Sequence, residues 1–390
     1  MKNQVENQKQ IFRIDIGKSV LDDLRSRLAN TRWPDQVENA GWNYGTNKEY
    51  LEELCDHWLH RFNWKDQEEY LNSFPQFKVE IDDTHLHFLH IKGEGKKNIP
   101  LLLTHGYPDN FIRFLKLIPL LTKADSQGLA FDLIIPGIPG FGFSSIPSRA
   151  GMNTERIAAI LAALMHDVLG YEKFVAHGGD WGSSITEQLA LHHKHLLTAI
   201  HMTEIPFRHL FTIQKDELTE PEKKYLQAGR QWQQKEGAYA LIQGTKPQSL
   251  AYGLNDSPAG LAGWIIEKFQ SWSDCDGHLD KVFTKDELLT NITIYWITQT
   301  INSAFRLYYE AMQEVSDPSK NPITKVAIPT AIAIFPKDMV PAPREYADRI
   351  FNIQQWTNMP HGGHFAAMEA PELLANDIRK FVSGIVEKQH

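Results

Sequence analysis

One stretch of the sequence restricts the fold of this chain more than any other. An apolar run beginning at Phe174 leads into Gly178-Gly-Asp-Trp-Gly182, and a helix-forming segment follows at once. In a sharp strand-to-helix turn the central residue is strained, and a Cβ on either flanking residue would crowd the backbone. Gly178 and Gly182 satisfy this requirement, so the pattern predicts a nucleophile elbow with Asp180 as the nucleophile. The alternative is an ordinary strand end at which Asp180 caps the next helix.

An aspartate at this position also indicates the class of substrate. A serine in the same turn would direct a hydroxyl at an acyl carbon. A carboxylate is ionised at neutral pH without help, and it attacks a saturated carbon better than an amide. Asp180 therefore favours alkyl over acyl substrates.

The composition excludes several other classes of function. The 390 residues include 40 basic and 48 acidic side chains, a net charge of −8, and no block of one sign suggests a nucleic-acid partner. The start of the chain is polar, and no stretch reaches the roughly 20 apolar residues of a membrane span. Cys55 and Cys275 lack metal or redox spacing. We expect a soluble cytoplasmic protein with no signal peptide or membrane anchor.

Alternating strand and helix patterns predict a doubly wound, mostly parallel sheet that is interrupted once. A short strand is predicted at Phe12–Gly17, and a capping box from Ser19 to Asp22 is predicted to open the first helix. A helical pattern is predicted to run from Thr154 to Leu169. The expected segments are a helical arm at 1–75 that packs on core and lid, a core at 76–203, a helical lid at 204–322 and the rest of the core at 323–390.

Two histidine clusters raise the question of a metal site. His85, His87 and His90 share a predicted strand, but no carboxylate or cysteine partner is evident nearby, so a solvated strand face is the default interpretation. A second cluster, at His192, His193 and His195, closes a helix, where cations favour the helix dipole. We therefore predict no metal site.

Three residues in chain order suggest catalytic machinery. Asp180, Asp338 and His364 have the order nucleophile, acid and base, each on a loop at the predicted carboxyl edge of the sheet. Glu204, at the end of an earlier strand, is the alternative acid, because triads can relocate this residue while the geometry stays the same. The neighbouring His361 is the less favoured histidine.

An elbow of this type also predicts two oxyanion-hole donors. One backbone N–H comes from the loop after the first core strand and the other from the residue that follows the nucleophile. These donors are the amides of Tyr107 and Trp181.

Several motifs in register make the chain resemble an epoxide hydrolase of the α/β-hydrolase superfamily, in the microsomal-type branch with an N-terminal meander. The resemblance runs from about Phe12 to the last helix. Besides the elbow, the motifs are Phe74-Pro-Gln-Phe77, Thr245-Lys-Pro-Gln248, Asn255-Asp-Ser-Pro258, Trp264-Ile-Ile-Glu-Lys268 and Gly362-Gly-His-Phe-Ala-Ala367. It implies the α/β-hydrolase fold, with a mostly parallel eight-stranded sheet, helices on both faces and a helical lid.

The resemblance also implies an activity and two further site residues. It implies hydrolysis of small hydrophobic epoxides to vicinal diols through a covalent aspartyl glycol ester, with water as co-substrate and no cofactor. The lid tyrosines that match the family pattern are Tyr239 and Tyr308, with Tyr309 adjacent to the second. Residues alone do not choose among the lid tyrosines, which also include Tyr225, Tyr252 and Tyr295.

The chain departs from the family pattern at one loop, and two other functions are alternatives. Relatives commonly read His-Gly-Trp-Pro-Gly-Ser where this chain has His105-Gly-Tyr-Pro-Asp-Asn110. A haloalkane dehalogenase is similar at Asp-Trp-Gly and uses an indole N–H, as Trp181 could supply. A non-catalytic receptor of the same fold need not keep all three triad residues. The oligomeric state is left open, with a homodimer as the commonest default.

Overall fold

The computed structural model describes residues 9–212, 218–315 and 324–388. Within these ranges nine strands form a single sheet. They are β1 (Gln10–Ile11), β2 (Gln76–Ile81), β3 (Thr84–Ile91), β4 (Lys97–Thr104), β5 (Leu129–Pro136), β6 (Phe174–Gly178), β7 (Leu197–Met202), β8 (Val326–Ile334) and β9 (Phe351–Asn358).

The strand order across the sheet is β1-β2-β3-β5-β4-β6-β7-β8-β9. The first four of these strands pair antiparallel, and β5, β4, β6, β7, β8 and β9 run parallel to one another. Because parallel strands end at the same edge of a sheet, the loops that follow β4, β6, β7, β8 and β9 converge there. This edge is where the predicted site residues lie.

The core helices cover both faces of the sheet. They are α4 (Ile118–Thr122), α5 (Thr154–Ala163), α6 (Trp181–His192), α14 (Arg344–Ile350), α15 (Ala366–Glu369) and α16 (Pro371–Glu387). The helices α5 and α6 pack together, and α16 packs against α4 and the 3₁₀-helix Phe111–Leu117. With both faces covered, β5 is buried along its whole length, which explains why all its residues except Asp132 are apolar.

The interval between β7 and β8 is helical where the structure describes it. Its helices are α7 (His209–Thr212), α8 (Glu220–Glu236), α9 (Ala238–Thr245), α10 (Pro247–Asp256), α11 (Pro258–Trp272), α12 (Lys285–Thr298) and α13 (Ile301–Val315). We call this interval the lid. Its entry is fixed to the core by buried Glu187 of α6, which pairs with Arg208 and, at 2.7 Å, with Nε2 of His209. The predicted lid boundary at 322/323 lies outside the described residues.

An N-terminal arm connects the sheet edge to the lid. Its helices are α1 (Lys18–Ala29), α2 (Lys48–His60) and α3 (Trp64–Asn72). Both α1 and α2 contact α11, while α2 and α3 contact α12. Buried apolar side chains such as Leu54 and Trp58 join the main core, and His57 Nε2 lies 2.8 Å from Oδ1 of Asp286 in the lid. The arm therefore has no core of its own.

Three details of the prediction are wrong. The short strand lies at Gln10–Ile11, where it pairs with Lys78 and Phe77, and it raises the strand count from the predicted eight to nine. Helix α1 begins at Lys18 with Gly17 as its N-cap, so no side chain caps it. The helix predicted from Thr154 is present, as α5 to Ala163 and then as a π-helix at Leu164–Val168.

The third of these details concerns the strand histidines, two of which are buried. Nε2 of His87 lies 2.8 Å from Oε1 of Gln76, and Nε2 of His90 lies 3.0 Å from the hydroxyl of Tyr171. The ring of Phe12 covers His87 at 5.1 Å between centroids. Burial lowers the pKa of His87 to about 3 and that of His90 to about 4, so both are neutral core residues.

No helix among the described residues combines the length and the apolar character that crossing a membrane would require.

Candidate active site

Asp180 lies in a strained turn between β6 and α6. Its backbone angles, φ 58° and ψ −128°, are values that residues other than glycine rarely adopt. A Cβ on Gly178 would collide with the backbone of Gly182, and one on Gly182 would collide with the carbonyl oxygen of Thr104. The local geometry is that of a nucleophile elbow, with the carboxylate of Asp180 at the N-terminus of α6.

The two predicted oxyanion donors face this carboxylate. The backbone N–H of Tyr107 donates to Oδ1 of Asp180 at 2.8 Å, and the amide of Trp181 also hydrogen-bonds the carboxylate. The lid fixes the Tyr107 loop from behind, since Asn291 of α12 donates to the carbonyl oxygen of Pro108 at 2.8 Å. Two backbone donors therefore converge on the carboxylate of Asp180.

His364 lies between Asp180 and Asp338. Its Nδ1 is 2.8 Å from Oδ1 of Asp338, and its Nε2 is 3.3 Å from Oδ2 of Asp180. The imidazole is 1% exposed, and its backbone N–H donates to the carbonyl oxygen of Trp272 at the end of α11. His361, the less favoured histidine, is exposed on the same turn. The structure therefore brings together the three residues that the chain order suggested.

Glu204 lies at the same histidine. Its Oε2 is 3.8 Å from Nδ1 of His364, the nitrogen that Asp338 approaches more closely. Burial, with the negative charge of Asp338 beside it, raises the pKa of Glu204 to about 8. At neutral pH this carboxyl is predominantly protonated. The distances to Nδ1 of His364, 2.8 Å from Asp338 against 3.8 Å from Glu204, favour Asp338 as the partner of the imidazole.

The charges around His364 set its protonation. Burial lowers the pKa of His364, but Asp338 and Asp180 outweigh burial, and its pKa lies well above the usual value. The pKa of Asp180 is lowered. Burial alone would raise it, but His364 and the two backbone amides have the larger effect. The resting site therefore holds an imidazolium between two carboxylates.

Two tyrosines of the lid lie above Asp180. Tyr239 of α9 and Tyr308 of α13 are 6% and 8% exposed, and their ring centroids are 5.8 Å apart. The ring of Tyr308 meets Trp181 edge-on at 4.8 Å. Burial raises the pKa of both phenols well above the usual value, so both remain protonated and able to donate.

The other lid tyrosines have other environments. Tyr309 is 38% exposed and Tyr252 is 71% exposed, while the hydroxyl of Tyr295 donates to the backbone oxygen of Asp109 at 2.8 Å. Tyr225 packs on Tyr346 with ring centroids 5.0 Å apart. Among the described residues, Tyr239 and Tyr308 are the tyrosines that reach the cavity beside Asp180.

That cavity has a volume of about 550 Å³ and a mostly apolar wall. Its lining comes from α5, the elbow, the loops after β7 and β8 and the lid, and consists of Thr154, Asp180, Trp181, Ser184, Glu204, Phe207, Arg208, Trp232, Gln233, Tyr239, Ala240, Leu241, Tyr308, Ala311, Met312, Glu314 and Met339. Asp180 and the two lid tyrosines are among its polar groups. The cavity suits a hydrophobic molecule with one polar group.

One cluster among the described residues has the spacing of metal ligands. One atom each of Glu204, Asp338 and His364 lie within 4.8 Å of one another. The cluster coincides with the hydrogen bond between His364 and Asp338, which already occupies Nδ1.

Two family models match the chain. Residues 9–114 match the epoxide hydrolase N terminus, and residues 99–219 match the alpha/beta hydrolase fold. Epoxide hydrolase 1 of Oryctolagus cuniculus is 37% identical over 412 residues, an alignment that covers 97% of this chain and 89% of that protein.

The chain belongs to the epoxide hydrolase family.

Solved structures of epoxide hydrolases share the whole architecture. The juvenile hormone epoxide hydrolase of Bombyx mori matches with a TM-score of 0.87 and 28% identity, covering 99% of this chain and 96% of that one. The epoxide hydrolase of Aspergillus niger matches with a TM-score of 0.83 and 27% identity, covering 97% of each chain. This epoxide hydrolase is therefore a hydrolase with the α/β-hydrolase fold.

Sequence reasoning missed one charged residue of this epoxide hydrolase. Arg113 is 2% exposed and lies beneath the elbow, where Nη1 contacts Asp109 and Nη2 contacts the backbone oxygen of His364. Asp109 stood out as a departure from the family pattern, but its partner did not. The sequence contains one signal for this pair. Arg113 is the one charged residue in the otherwise apolar run Phe111–Leu115 and follows Asp109 by four residues, a spacing that suggests a buried ion pair.

Proposed function

We propose that the chain converts epoxides to vicinal diols in two steps through an ester of Asp180. In the first step the carboxylate of Asp180 attacks one carbon of the three-membered ring, and the carbon–oxygen bond breaks. Tyr239 and Tyr308 donate hydrogen bonds to the oxygen as negative charge develops on it, and one phenol supplies the proton. The product of this step is a glycol monoester of Asp180.

In the second step His364 removes a proton from water, and the water oxygen attacks the carbonyl carbon of the Asp180 ester. The amides of Tyr107 and Trp181 stabilise the oxyanion, and Asp338 holds the imidazole with Nε2 toward the ester. The other proton of that water leaves with the diol, the carboxylate of Asp180 is restored, and His364 is again protonated as in the resting site.

Formation of the ester changes the charge that His364 experiences. The Asp180 carboxylate, which helps to raise the pKa of His364, becomes a neutral ester. The pKa of the imidazole then falls, so His364 gives its proton to the phenolate that the first step leaves and becomes the neutral base that the second step requires.

One observation carries this proposal: Asp180 faces the backbone donors and His364 on one side and two cavity-lining phenols on the other. That arrangement supports nucleophilic attack on a carbon whose leaving oxygen stays attached to the substrate. A serine-type acyl transfer would need no phenols above the nucleophile.

The test is to trap the ester. His364→Ala is mixed with styrene oxide, quenched in acid and digested, and the Asp180 peptide is weighed by mass spectrometry. The proposal predicts that this peptide gains the mass of one epoxide and that the wild type shows the adduct only transiently. An unmodified peptide in the variant, with diol still forming, would contradict it.

A parallel assay addresses haloalkane dehalogenation. The indole Nε1 of Trp181 is buried and has no hydrogen-bond partner among the described residues, which is the kind of group that could hold a departing halide. Incubation with 1-chlorobutane should release no chloride if the epoxide reaction is the activity. Chloride release without epoxide turnover would favour the dehalogenase.

A further inference from the structure

Arg113 connects the loops that carry the proposed chemistry. It lies in the 3₁₀-helix after β4, 2% exposed, among apolar neighbours. Its Nη2 donates to the backbone oxygen of His364 at 2.5 Å, across 251 residues of sequence. A guanidinium without a partner is very unfavourable in such an environment, so these contacts define its position.

Asp109 extends the connection to the oxyanion loop. Its Oδ2 pairs with Nη1 of Arg113, and its Oδ1 accepts from the backbone N–H of Gly106 at 3.1 Å. Asp109 is fully buried, and its backbone oxygen is held by the hydroxyl of Tyr295 at 2.8 Å. The amide of Tyr107, which donates to Asp180, comes directly after Gly106.

Arg113 also touches the elbow. Its Nη2 lies 2.9 Å from the position that a Cβ on residue 179 would occupy, immediately before the nucleophile. Burial lowers the pKa of Arg113, but Asp109 and Asp180 outweigh burial and the pKa is raised, so the group stays cationic. One buried cation is thus shared by the oxyanion loop, the elbow and the histidine turn.

We propose that Arg113 and Asp109 are positioning residues for hydrolysis of the Asp180 ester, because together they hold His364 and the Tyr107 amide in register with the elbow. The inference rests on the two-step reaction proposed above. Ring opening depends on the side chains of Asp180, Tyr239 and Tyr308. The hydrogen bonds that Arg113 and Asp109 make within the described residues go to other groups. Ester hydrolysis depends on His364 and the oxyanion donors, both of which the pair holds.

The first variant is Arg113→Lys, which keeps a cation beside Asp109 and removes the rigid second donor to His364. The second is the double variant Asp109→Asn with Arg113→Met, which removes both charges so that neither is left buried and unpaired. Arg379→Lys is the matched control, because Arg379 also donates to backbone carbonyls, those of Leu129, Leu120 and Lys123, away from the site.

Ester formation and ester hydrolysis are timed separately by rapid quench of the full-length protein with styrene oxide, followed by mass spectrometry of the Asp180 peptide. In Arg113→Lys we expect hydrolysis to slow at least about 10-fold and ester formation to stay within about threefold, so that ester accumulates. In the double variant hydrolysis should slow about 100-fold. Arg379→Lys should leave the ratio of the two rate constants unchanged.

Either of two results would overturn the inference. One is an equal fall of both rate constants in Arg113→Lys, which a general loss of structure would produce. The other is that neither rate constant changes in either variant. A wild type that never forms the ester would instead refute the two-step reaction itself, so the two failures are distinguishable.

Discussion

Nδ1 of His364 lies 2.8 Å from Oδ1 of Asp338, and this contact turns the opposite nitrogen of the ring toward Asp180. Replacing Asp338 by Asn should leave the ring in place but disfavour its working tautomer. We expect steady-state turnover to fall about 100- to 10,000-fold, with ester accumulating. Rapid-quench measurement of the ester would show this, and unchanged turnover would remove Asp338 from the mechanism.

Glu204 offers a second acid to the same nitrogen, 3.8 Å away. In Asp338→Asn, Glu204 loses the negative neighbour that helps to raise its pKa, so it can ionise and partly replace Asp338. The double variant Asp338→Asn with Glu204→Gln should therefore lose at least about 10-fold more activity than Asp338→Asn alone. Equal activities of the single and double variants would show that Glu204 gives no such support.

Glu204 should also shape the pH dependence above neutrality. Its pKa of about 8 makes it neutral at lower pH, and its ionisation raises the pKa of His364 further. Above about pH 8 the ester-hydrolysis rate of the wild type should therefore increase less steeply with pH than the rate of Glu204→Gln. The reason is that a higher pKa keeps more of His364 protonated, and protonated His364 cannot accept a proton from water. Below about pH 7 the two profiles should coincide. Identical profiles from pH 6 to 10 would contradict this role.

The lid phenols are predicted to act in ring opening. Tyr239→Phe and Tyr308→Phe should each slow ester formation by about 100-fold, because one donor to the developing alkoxide is lost, while ester hydrolysis changes little. Tyr309→Phe is the matched control, since Tyr309 is adjacent in sequence but exposed. Single-turnover kinetics separate the two steps. A fall in the ester-hydrolysis rate alone would mean that the phenols do not act in ring opening.

The elbow glycines are predicted to be intolerant of a side chain. Gly182→Ala would drive a Cβ into the carbonyl oxygen of Thr104 and should cost at least about 2 kcal/mol of unfolding free energy. Gly253→Ala in α10 is the control, because nothing lies within 4 Å of its added Cβ, and it should be neutral or stabilising by up to about 1 kcal/mol. Denaturant unfolding measures both, and equal stabilities would refute the packing argument.

Local patterns were sufficient for much of the fold and the site. The mostly parallel sheet and the helix that begins at Thr154 agree with the prediction, because apolar periodicity and turn residues are encoded nearby in sequence. Asp180, Asp338 and His364 each follow a strand at the same sheet edge, so topology alone places them together. The choice of Tyr239 and Tyr308 needed the family resemblance, since their shared cavity depends on how α9 and α13 pack.

Contacts between distant segments were beyond the reach of local patterns. His87 alternates on β3 as a solvated residue would, yet Phe12, far away in sequence, covers its ring. Arg113 is similar, because its acceptor on the His364 turn comes 251 residues later. The sequence around His87 does not indicate the contact with Phe12, and the sequence around Arg113 does not indicate the acceptor on the His364 turn.

The measurement that tests the central claim most directly is a single turnover of styrene oxide by excess wild-type enzyme in ¹⁸O-labelled water. If water attacks the ester carbonyl, the label enters the carboxylate of Asp180, and the first diol released carries unlabelled oxygen from the protein. Mass spectrometry of the Asp180 peptide and of the diol reads both. Label in the diol with none in Asp180 would mean that water opens the epoxide directly, and it would contradict the covalent route.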